Sequence, residues 1–260
     1  SAYRNRIQLH YRHKYIGMLD GAADRIQEIP HCQVIDEALK PALAALYADK
    51  SWASEHPDRG HCEIYLKDGE VTTRWDEAYA HGGFTQVNDA MNTTLRAVVH
   101  DYAAKGPADT LLDLFAGKGN LSDELVTGLG SQRVMVDNIA AGADAPAGFY
   151  QLDLFDAGAM GSLQRREAGK NFQLMVVDPP RKGFPLLAEW VSHYKPKQLI
   201  YVSCNAVTLA RDLKTLQGKY SITDACLIDL FPGTHHFETI VRLVFKNHAR
   251  KKTSMFKGAG

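Results

Sequence analysis

Leu199-Ile-Tyr-Val-Ser-Cys-Asn205 is the most informative stretch of this chain. Its first four residues are apolar and prone to β-structure, which indicates a buried strand of a parallel sheet. Ser203, Cys204 and Asn205 end that strand, and residues 208–213 predict the start of a helix. Ligands of open α/β sheets bind just beyond the carboxyl ends of the strands. Two roles therefore stay open for Cys204, a catalytic thiol or the small buried hydrophobe that most free cysteines are.

The residues on both sides of this stretch alternate between strand and helix patterns. We predict strands at 110–115, 134–137, 149–154, 172–178 and 199–202, two final strands at 225–230 and 239–245, and helices at 89–102, from 121 onward and at 185–193. Such alternation predicts an α/β fold with a doubly wound, mostly parallel sheet. The two final strands would add an antiparallel edge.

The first 82 residues follow another pattern. Polar and apolar residues alternate over 3–18 and 62–75, which predicts two hairpins, the second with an Asp68-Gly69 turn. A helix is predicted over 33–47. The sequence thus predicts a small N-terminal α+β domain at 1–82, a larger α/β domain at 83–248 and a basic tail at 249–260, with Gly82-Gly83 as the linker.

The composition is that of an ordinary globular protein, with 45% hydrophobic and 23% charged residues among 260. No apolar run approaches the ~20 residues that span a bilayer, and the polar, basic N-terminus does not resemble a signal peptide. The cysteines show no close pairing and are Cys32, Cys62, Cys204 and Cys226. Reduced thiols and a cytoplasmic location are expected.

Positive charge is concentrated at the two ends of a chain that has 30 basic and 30 acidic residues in total. Residues 1–14 and 239–260 contain lysines and arginines but no acidic residue. Two interpretations stay open: the ends contact the phosphates of a nucleic acid, or they are solvated tails.

A strand, a tight glycine turn and a helix start are predicted around Asp113-Leu-Phe-Ala-Gly117-Lys-Gly119. The two glycines allow the backbone to approach a bound nucleoside, but Ser122 at the third glycine position disfavours NAD or FAD. An acid at the turn, Asp113, would repel a pyrophosphate and suits a cationic ligand such as S-adenosylmethionine. Asp137 ends the next strand, where a carboxylate accepts hydrogen bonds from ribose hydroxyls or caps a turn. Asp153, after the third strand, is a candidate for the adenine edge.

A second turn, Val177-Asp-Pro-Pro-Arg181, follows the fourth strand. The two prolines fix the backbone and remove amide donors, so they hold the Asp178 carboxylate rigidly at the mouth of the sheet. Such a turn is suited to binding a planar nucleobase. The alternative is that it is only a rigid loop without a ligand.

Together these motifs resemble those of the RNA 5-methyluridine methyltransferases. The matching stretches are Gly83-Phe-Thr-Gln-Val-Asn88, Leu112-Asp-Leu-Phe-Ala-Gly-Lys-Gly-Asn120, Val177-Asp-Pro-Pro-Arg-Lys-Gly183, Tyr201-Val-Ser-Cys-Asn205 with Thr208-Leu-Ala-Arg-Asp212, and Asp229-Leu-Phe-Pro-Gly-Thr-His-His-Phe-Glu238. The resemblance is dense over about residues 84–246. It implies a Rossmann-like class I methyltransferase fold, S-adenosyl-L-methionine as cofactor, and ribosomal or transfer RNA as substrate.

The resemblance also implies roles for individual residues. Cys204 would be the nucleophile and Glu238 the base that removes a proton. The cofactor and base pocket would be lined by Gln86, Phe115, Asn120, Asp137, Asp153 and Asp178, beside the turn residues Asp113, Gly117 and Gly119. Methylation of uracil at carbon 5 requires a nucleophile and a base. Carbon 5 is a weak nucleophile until a thiolate adds to carbon 6, and a base must then remove the carbon-5 proton.

The chain departs from the family in several respects. The N-terminal β-barrel and three of the four iron–sulfur ligands are not visible, and Cys32 alone cannot hold a cluster, so no metal is expected. The chain is then a fragment of a longer protein or a shortened branch. Asp137 stands where the family usually has Glu, and residues 138–148 are rich in Ala and Gly. An amino-group methyltransferase that uses Asp178, and a non-catalytic RNA-binding protein with this fold, are the alternatives.

Overall fold

The computed structural model describes residues 2–20, 22, 24–78, 86–139, 145–234 and 236–246. The chain divides into two compact units, Ser1–Asn92 and Thr93–Gly260. The predicted Gly82-Gly83 linker and the predicted basic tail at 249–260 lie outside the described residues, so the domain boundary at residue 82 stays a prediction. Among the described residues, no helix is both long and apolar enough to cross a bilayer.

The first unit contains an antiparallel five-stranded sheet in the order β3-β2-β1-β4-β5. Its elements are β1 (Arg6–Arg12), β2 (Tyr15–Asp20), β3 (Arg25–Gln27), α1 (Lys40–Ala48), α2 (Trp52–Glu55), β4 (Arg59–Lys67) and β5 (Glu70–Trp75). Every second residue of β1 is buried, and these residues pack with Leu39 and Leu43 in the core of the unit. One face of the sheet is therefore apolar and the other is polar.

Both hairpins predicted for this unit are present. Asp68 and Gly69 have φ angles of 52° and 82°, as the two-residue turn between β4 and β5 requires. The helix predicted from residue 33 is wrong at its start: the carbonyl of Val34 accepts backbone hydrogen bonds from Tyr3 and Arg4, which keeps this stretch extended. A 3-10 turn, Glu37–Leu39, then leads into α1.

The second unit contains a seven-stranded sheet in the order β11-β12-β10-β9-β6-β7-β8. Its strands are β6 (Thr110–Leu114), β7 (Gln132–Asp137), β8 (Phe149–Gln151), β9 (Leu174–Val177), β10 (Gln198–Ser203), β11 (Tyr220–Ile228) and β12 (Glu238–Phe245). The helices that follow the first unit are α3 (Asp89–Ala104), α4 (Asp123–Leu129), α5 (Ala159–Arg166), α6 (Leu187–Tyr194) and α7 (Ala206–Lys214). Strands β6 to β10 pair in parallel, and β12 pairs antiparallel with β10 and β11. This confirms the predicted mostly parallel sheet with an antiparallel edge.

Three local features of this unit differ from the prediction. Strand β11 spans Tyr220–Ile228 rather than 225–230. Strand β8 ends at Gln151 rather than at 154, because the Asp153 side chain accepts a hydrogen bond from the Phe155 amide at 2.9 Å and forms a turn there. Helix α5, whose buried residues are Ala159 and Leu163, was not predicted. Its few apolar positions gave the sequence pattern too little periodicity.

The topology brings the candidate residues to one edge of the sheet, which we call the strand-end edge. The parallel strands β10, β9, β6 and β7 all finish there. Because β12 runs antiparallel to β10, its first residue, Glu238, lies at the same edge. The order along this edge is Glu238, Cys204, Asp178, Phe115 and Asp137, one from each neighbouring strand.

Candidate active site

Cys204 and Glu238 lie side by side at the strand-end edge. Ser203 pairs with Thr239 in the antiparallel register of β10 and β12, so Cys204 and Glu238 are the next positions along the two strands. The thiol is half-buried, and burial raises its pKa, with further increases from the negative charges of Glu238 and Asp178. The free thiol is therefore mostly protonated at neutral pH, and only its thiolate form would be nucleophilic.

The carboxyl group of Glu238 is 7% exposed, and this burial raises its pKa to about 7. A carboxyl group that titrates near neutral pH is suited to taking up a proton in a catalytic step. Asp178 has a pKa well above its usual range, because of burial and then of the charges of Glu238, Asp113 and Asp137. The site thus holds several acids that disfavour one another's ionised forms.

Arg181 supplies the opposing charge, and the sequence analysis gave it no role. Its guanidinium lowers the pKa of both Cys204 and Glu238, against the larger effect of burial. Its Nη2 atom lies 3.3 Å from Nε2 of His236, which precedes β12. The signal available in the sequence was a cation directly after two prolines, but only the fold brings that cation to the thiol and the base.

A buried carboxylate connects β10, the strand that precedes Cys204, with the segment that follows the Asp-Pro-Pro turn. Asp212, on α7, is 2% exposed and accepts hydrogen bonds from the Tyr201 hydroxyl at 2.7 Å and the Phe184 amide at 2.6 Å. Gly183 lies against this group with a φ of 73°, and a Cβ there would be 2.6 Å from the Asp212 carboxylate. Only glycine fits that position, so the close approach of the turn to α7 depends on it.

The two turns that carry Asp178 and Cys204 are also joined directly. The Asn205 side chain donates to the Arg181 carbonyl at 3.0 Å, and the Thr208 hydroxyl donates to the same carbonyl at 3.2 Å. The Asn205 side chain also caps α7 by accepting a hydrogen bond from the Val207 amide. The two turns are therefore held as one rigid unit.

The glycine turn after β6 has the backbone that its sequence predicted. Gly117 and Gly119 have φ angles of 53° and 90°. The Asp137 carboxylate accepts hydrogen bonds from the Gly117 amide at 2.7 Å and from the Ile139 amide at 3.1 Å. Asp137 thus caps the turn and stands at the end of β7, so both roles left open by its sequence position are compatible with the structure.

Phe115 begins this turn in the left-handed region, with a φ of 60°. A non-glycine residue there is strained by ~1–3 kcal/mol, a cost typical of functional sites. Its half-buried ring contacts Phe184 edge-on at a centroid distance of 5.0 Å and Phe155 at 5.4 Å. These ring contacts therefore hold the Phe115 side chain in place between the glycine turn and the Asp-Pro-Pro turn.

Asp113 lies inside β6 and not at the turn, which corrects the position expected from the sequence. It is 2% exposed, and burial raises its pKa to about 7, against hydrogen bonding from Ser122 and the charge of Arg133. Within the described residues, its Oδ2 atom has no hydrogen-bond partner. Its role as a cofactor-binding residue stays a prediction.

The structure places the other candidates as follows. Asn120 is half-buried in the turn that follows Gly119, and Asp153 is exposed directly after β8. Gln86 lies in the first unit, where its carbonyl accepts a hydrogen bond from the Asn5 side chain at 3.3 Å. The contacts of these three residues do not show whether they bind a ligand, so their roles also stay predictions.

The glycine turn and the acids on the strands beside it fit a cationic nucleoside. The unpartnered carboxylate oxygen of Asp113 and the acids Asp137 and Asp178 favour positive charge nearby. A Cβ built on Gly117 meets nothing within 4 Å, so the turn has open space in front of it. Among the described residues, no group of three or more potential metal ligands is present.

Comparison with solved structures shows which fold this is. The crystal structure of the tRNA (uracil-54, C5)-methyltransferase of Pyrococcus abyssi, in complex with S-adenosyl-L-homocysteine, matches with a TM-score of 0.71 and 19% identity. The match covers 93% of this chain and 76% of that chain. The second unit therefore has the class I methyltransferase fold that the sequence predicted.

Sequence comparisons show which family the chain resembles. The family described as tRNA (Uracil-5-)-methyltransferase matches residues 166–246, which include Asp178, Cys204 and Glu238. An uncharacterized RNA methyltransferase of Bdellovibrio bacteriovorus is 30% identical over 93% of this chain and 64% of its own length. The 23S rRNA (uracil(1939)-C(5))-methyltransferase of Shewanella sp. (strain ANA-3) is 32% identical over 67% of this chain and 40% of its own length. These findings confirm the resemblance to the RNA uracil-5-methyltransferase family. The chain spans less than two thirds of the length of these two curated relatives.

Proposed function

We propose that this chain transfers a methyl group from S-adenosylmethionine to carbon 5 of a uridine in structured ribosomal or transfer RNA. The observation that carries the proposal is the pairing of Cys204 with Glu238 at the ends of two adjacent strands. A nucleophile next to a base of raised pKa is what the methylation of uracil at carbon 5 requires. An RNA substrate of this kind also makes the cytoplasm the expected location.

In this mechanism Cys204 acts first. The thiol loses its proton to solvent, and the thiolate sulfur then forms a bond with carbon 6 of the uracil. The electron pair of the carbon 5–carbon 6 double bond moves onto carbon 5 and the adjacent carbonyl. S-adenosylmethionine supplies the methyl group as an electrophile when it is bound. Glu238 then takes the proton from carbon 5, the double bond re-forms, and the Cys204 thiolate leaves carbon 6.

The charges around the two residues support this order. Arg181 favours the thiolate and the carboxylate, whereas burial and the neighbouring acids favour their neutral forms. We infer that the Arg181 guanidinium stabilises the negative charge that the uracil gains when Cys204 adds. Glu238 has a pKa near 7, so an appreciable fraction is ionised and ready to accept the carbon-5 proton.

The rate should rise with pH between about 6 and 8. Burial raises the pKa of both Cys204 and Glu238. The Glu238 carboxylate is lost as the pH falls through 7, and the fraction of Cys204 present as thiolate, already small at neutral pH, decreases further. Single-turnover methyl transfer at saturating substrate concentrations measures this dependence. A rate that increases as the solution becomes more acidic contradicts these assignments.

Asp137, with the glycine turn, would hold the ribose of the cofactor. Replacing Asp137 by Asn keeps an acceptor for the Gly117 amide but removes the charge, and should weaken S-adenosylmethionine binding by about 1–3 kcal/mol. Calorimetry measures the change, and Asp101→Asn, which removes an exposed carboxylate from α3, is the matched control. Equal affinity of Asp137→Asn and wild type excludes Asp137 from the cofactor site.

The decisive test of the function is mass analysis of RNA after incubation with the protein and S-adenosylmethionine. Unmodified transfer and ribosomal RNA transcripts should gain 5-methyluridine, at a position that sequencing of the fragments then identifies. A methylated exocyclic amine instead would establish an amino-group methyltransferase. Binding of RNA without any methylation would establish a binding protein.

A further inference from the structure

The polar face of the sheet in the first unit has two ends with different charge arrangements. At one end Arg6 forms a 2.6 Å ion pair with Glu63, and both side chains are largely buried. At the other end the register brings basic residues together on partly or fully exposed positions of β1 and β4. We call this second group the basic end; it consists of His10 and Arg12 of β1 and of Arg59 and His61 of β4.

The pairing within the basic end is electrostatically unfavourable. Arg12 lies directly opposite Arg59, and His10 lies directly opposite His61. Like charges in directly opposed positions of an antiparallel pair destabilise the sheet. Burial lowers the pKa of His10, and the charge of His61 lowers it further, which agrees with the closeness of the two rings.

Acidic residues of the unit compensate this charge only in part. Asp76 accepts a hydrogen bond from the His61 amide at 3.0 Å, and its other carboxylate oxygen contacts Nδ1 of His56 at 3.2 Å and the Tyr11 hydroxyl. Arg12 forms a 3.0 Å ion pair with Asp24, whose side chain is highly exposed, and such surface pairs contribute little. Among the described residues, no carboxylate forms an ion pair with Arg59. The basic end therefore retains positive charge that an external anion would neutralise.

An exposed aromatic ring adjoins this charge. Tyr15 lies opposite Arg12 in the pairing of β1 with β2 and is 53% exposed. Basic side chains interleaved with an exposed aromatic ring are the combination that binds single-stranded nucleic acid, since phosphates meet the cations and a base stacks on the ring.

We propose that the basic end and Tyr15 bind the sugar-phosphate backbone and one unpaired base of the substrate RNA, outside the site of methyl transfer. The inference rests on the proposed function for the identity of the RNA. It assigns the phosphate contacts to Arg12 and Arg59 and the stacking contact to Tyr15. Relief of the repulsion between the two arginines adds to the affinity.

The test measures fluorescence anisotropy of a fluorescein-labelled 20-nucleotide oligouridylate with the full chain, between 50 and 300 mM NaCl. Arg12→Gln/Arg59→Gln should lower the affinity at least about tenfold at the lowest salt concentration. The slope of log K against log salt should fall by about 1.4, since each phosphate contact on a single strand contributes about 0.7. Tyr15→Leu should weaken binding with the slope unchanged, because stacking releases no counterions.

The matched control is Lys40→Gln/Lys67→Gln, which removes the same charge from α1 and from the far end of β4. It should leave the affinity within about twofold of wild type, as the lost charges lie outside the basic end. Thermal unfolding should show the Arg12/Arg59 variant no less stable than wild type, because the variant loses a repulsive pair.

Three outcomes overturn the proposal. The first is an unchanged affinity and slope in the Arg12→Gln/Arg59→Gln variant. The second is an equal loss of affinity in the lysine control, which reduces the effect to net charge. The third is equally tight binding of polyglutamate, which points to an acidic protein. If wild type methylates RNA in any of these cases, the proposed function stands and only this surface is wrong; if it neither methylates nor binds RNA, both fail.

Discussion

Replacing Cys204 by Ala is expected to lower the rate of methyl transfer to RNA by about 10⁴-fold or more, because the only group that activates carbon 5 of the uracil in the proposed mechanism is lost. The variant should form no covalent protein–RNA species. It should still bind S-adenosylmethionine with the affinity of wild type, since the glycine turn lies on other strands of the sheet.

The measurement combines a denaturing gel with methyl-labelled S-adenosylmethionine and counting of the label in RNA. Cys226→Ala is the matched control, because it removes another half-buried thiol, from β11. That variant should methylate RNA at the wild-type rate. Formation of 5-methyluridine by Cys204→Ala would rule out the covalent mechanism and favour direct transfer to another atom or base.

Much of the second unit could be predicted because its strands are uninterrupted apolar runs. Residues 174–177 and 198–203 are buried on both sides of the sheet, so the sequence carries the strand signal without needing its neighbours. Cys204 and Asp178 follow such strands directly, and their position at the strand-end edge was predicted for that reason. The ends of buried strands can thus be predicted from the sequence alone.

The properties of the site residues could not be read in the same way. The pKa of Glu238 depends on the antiparallel pairing of β12 with β10 and on a guanidinium 57 positions earlier in the chain. The buried Asp212 carboxylate accepts hydrogen bonds from Tyr201 and Phe184, which belong to two other segments of the chain. Asp113 was expected at the turn although the predicted strand ran to residue 115; β6 continues to Leu114 and leaves Asp113 buried inside the sheet. Each of these facts requires the tertiary structure.

Glu238 is expected to have the second large effect, of a different kind from that of Cys204. Glu238→Gln removes the base but keeps the shape of the side chain, so the step that needs a proton acceptor should slow by about 10²- to 10⁴-fold. It also removes a negative charge that raises the pKa of Cys204, so the thiolate should form more readily than in wild type. The variant should therefore accumulate a denaturation-resistant protein–RNA adduct that carries the methyl group. Turnover at the wild-type rate would show that another group removes the proton.

The same substitution should stabilise the folded protein by an amount that grows as the pH rises above 4.5 and levels off above pH 7. Burial raises the pKa of Glu238 to about 7 in the folded chain, above its ordinary value of 4.5, so folding favours the protonated form. That contribution is fully present below pH 4.5 and is lost as the pH rises through 7, where the buried carboxylate destabilises the fold. Glu238→Gln should then raise the free energy of unfolding by about 3 kcal/mol at pH 8.5 and change it little at pH 5.

Urea denaturation at the two pH values measures this difference. Glu189→Gln, at an exposed position of α6, is the control and should be neutral at both. A stability gain at pH 8.5 together with the trapped adduct would show that one buried carboxylate destabilises the resting protein and releases the product. A Glu238→Gln variant that is equally or less stable at pH 8.5 would mean that Arg181 neutralises the carboxylate in the folded state, and Glu238 would then be ionised throughout the neutral range.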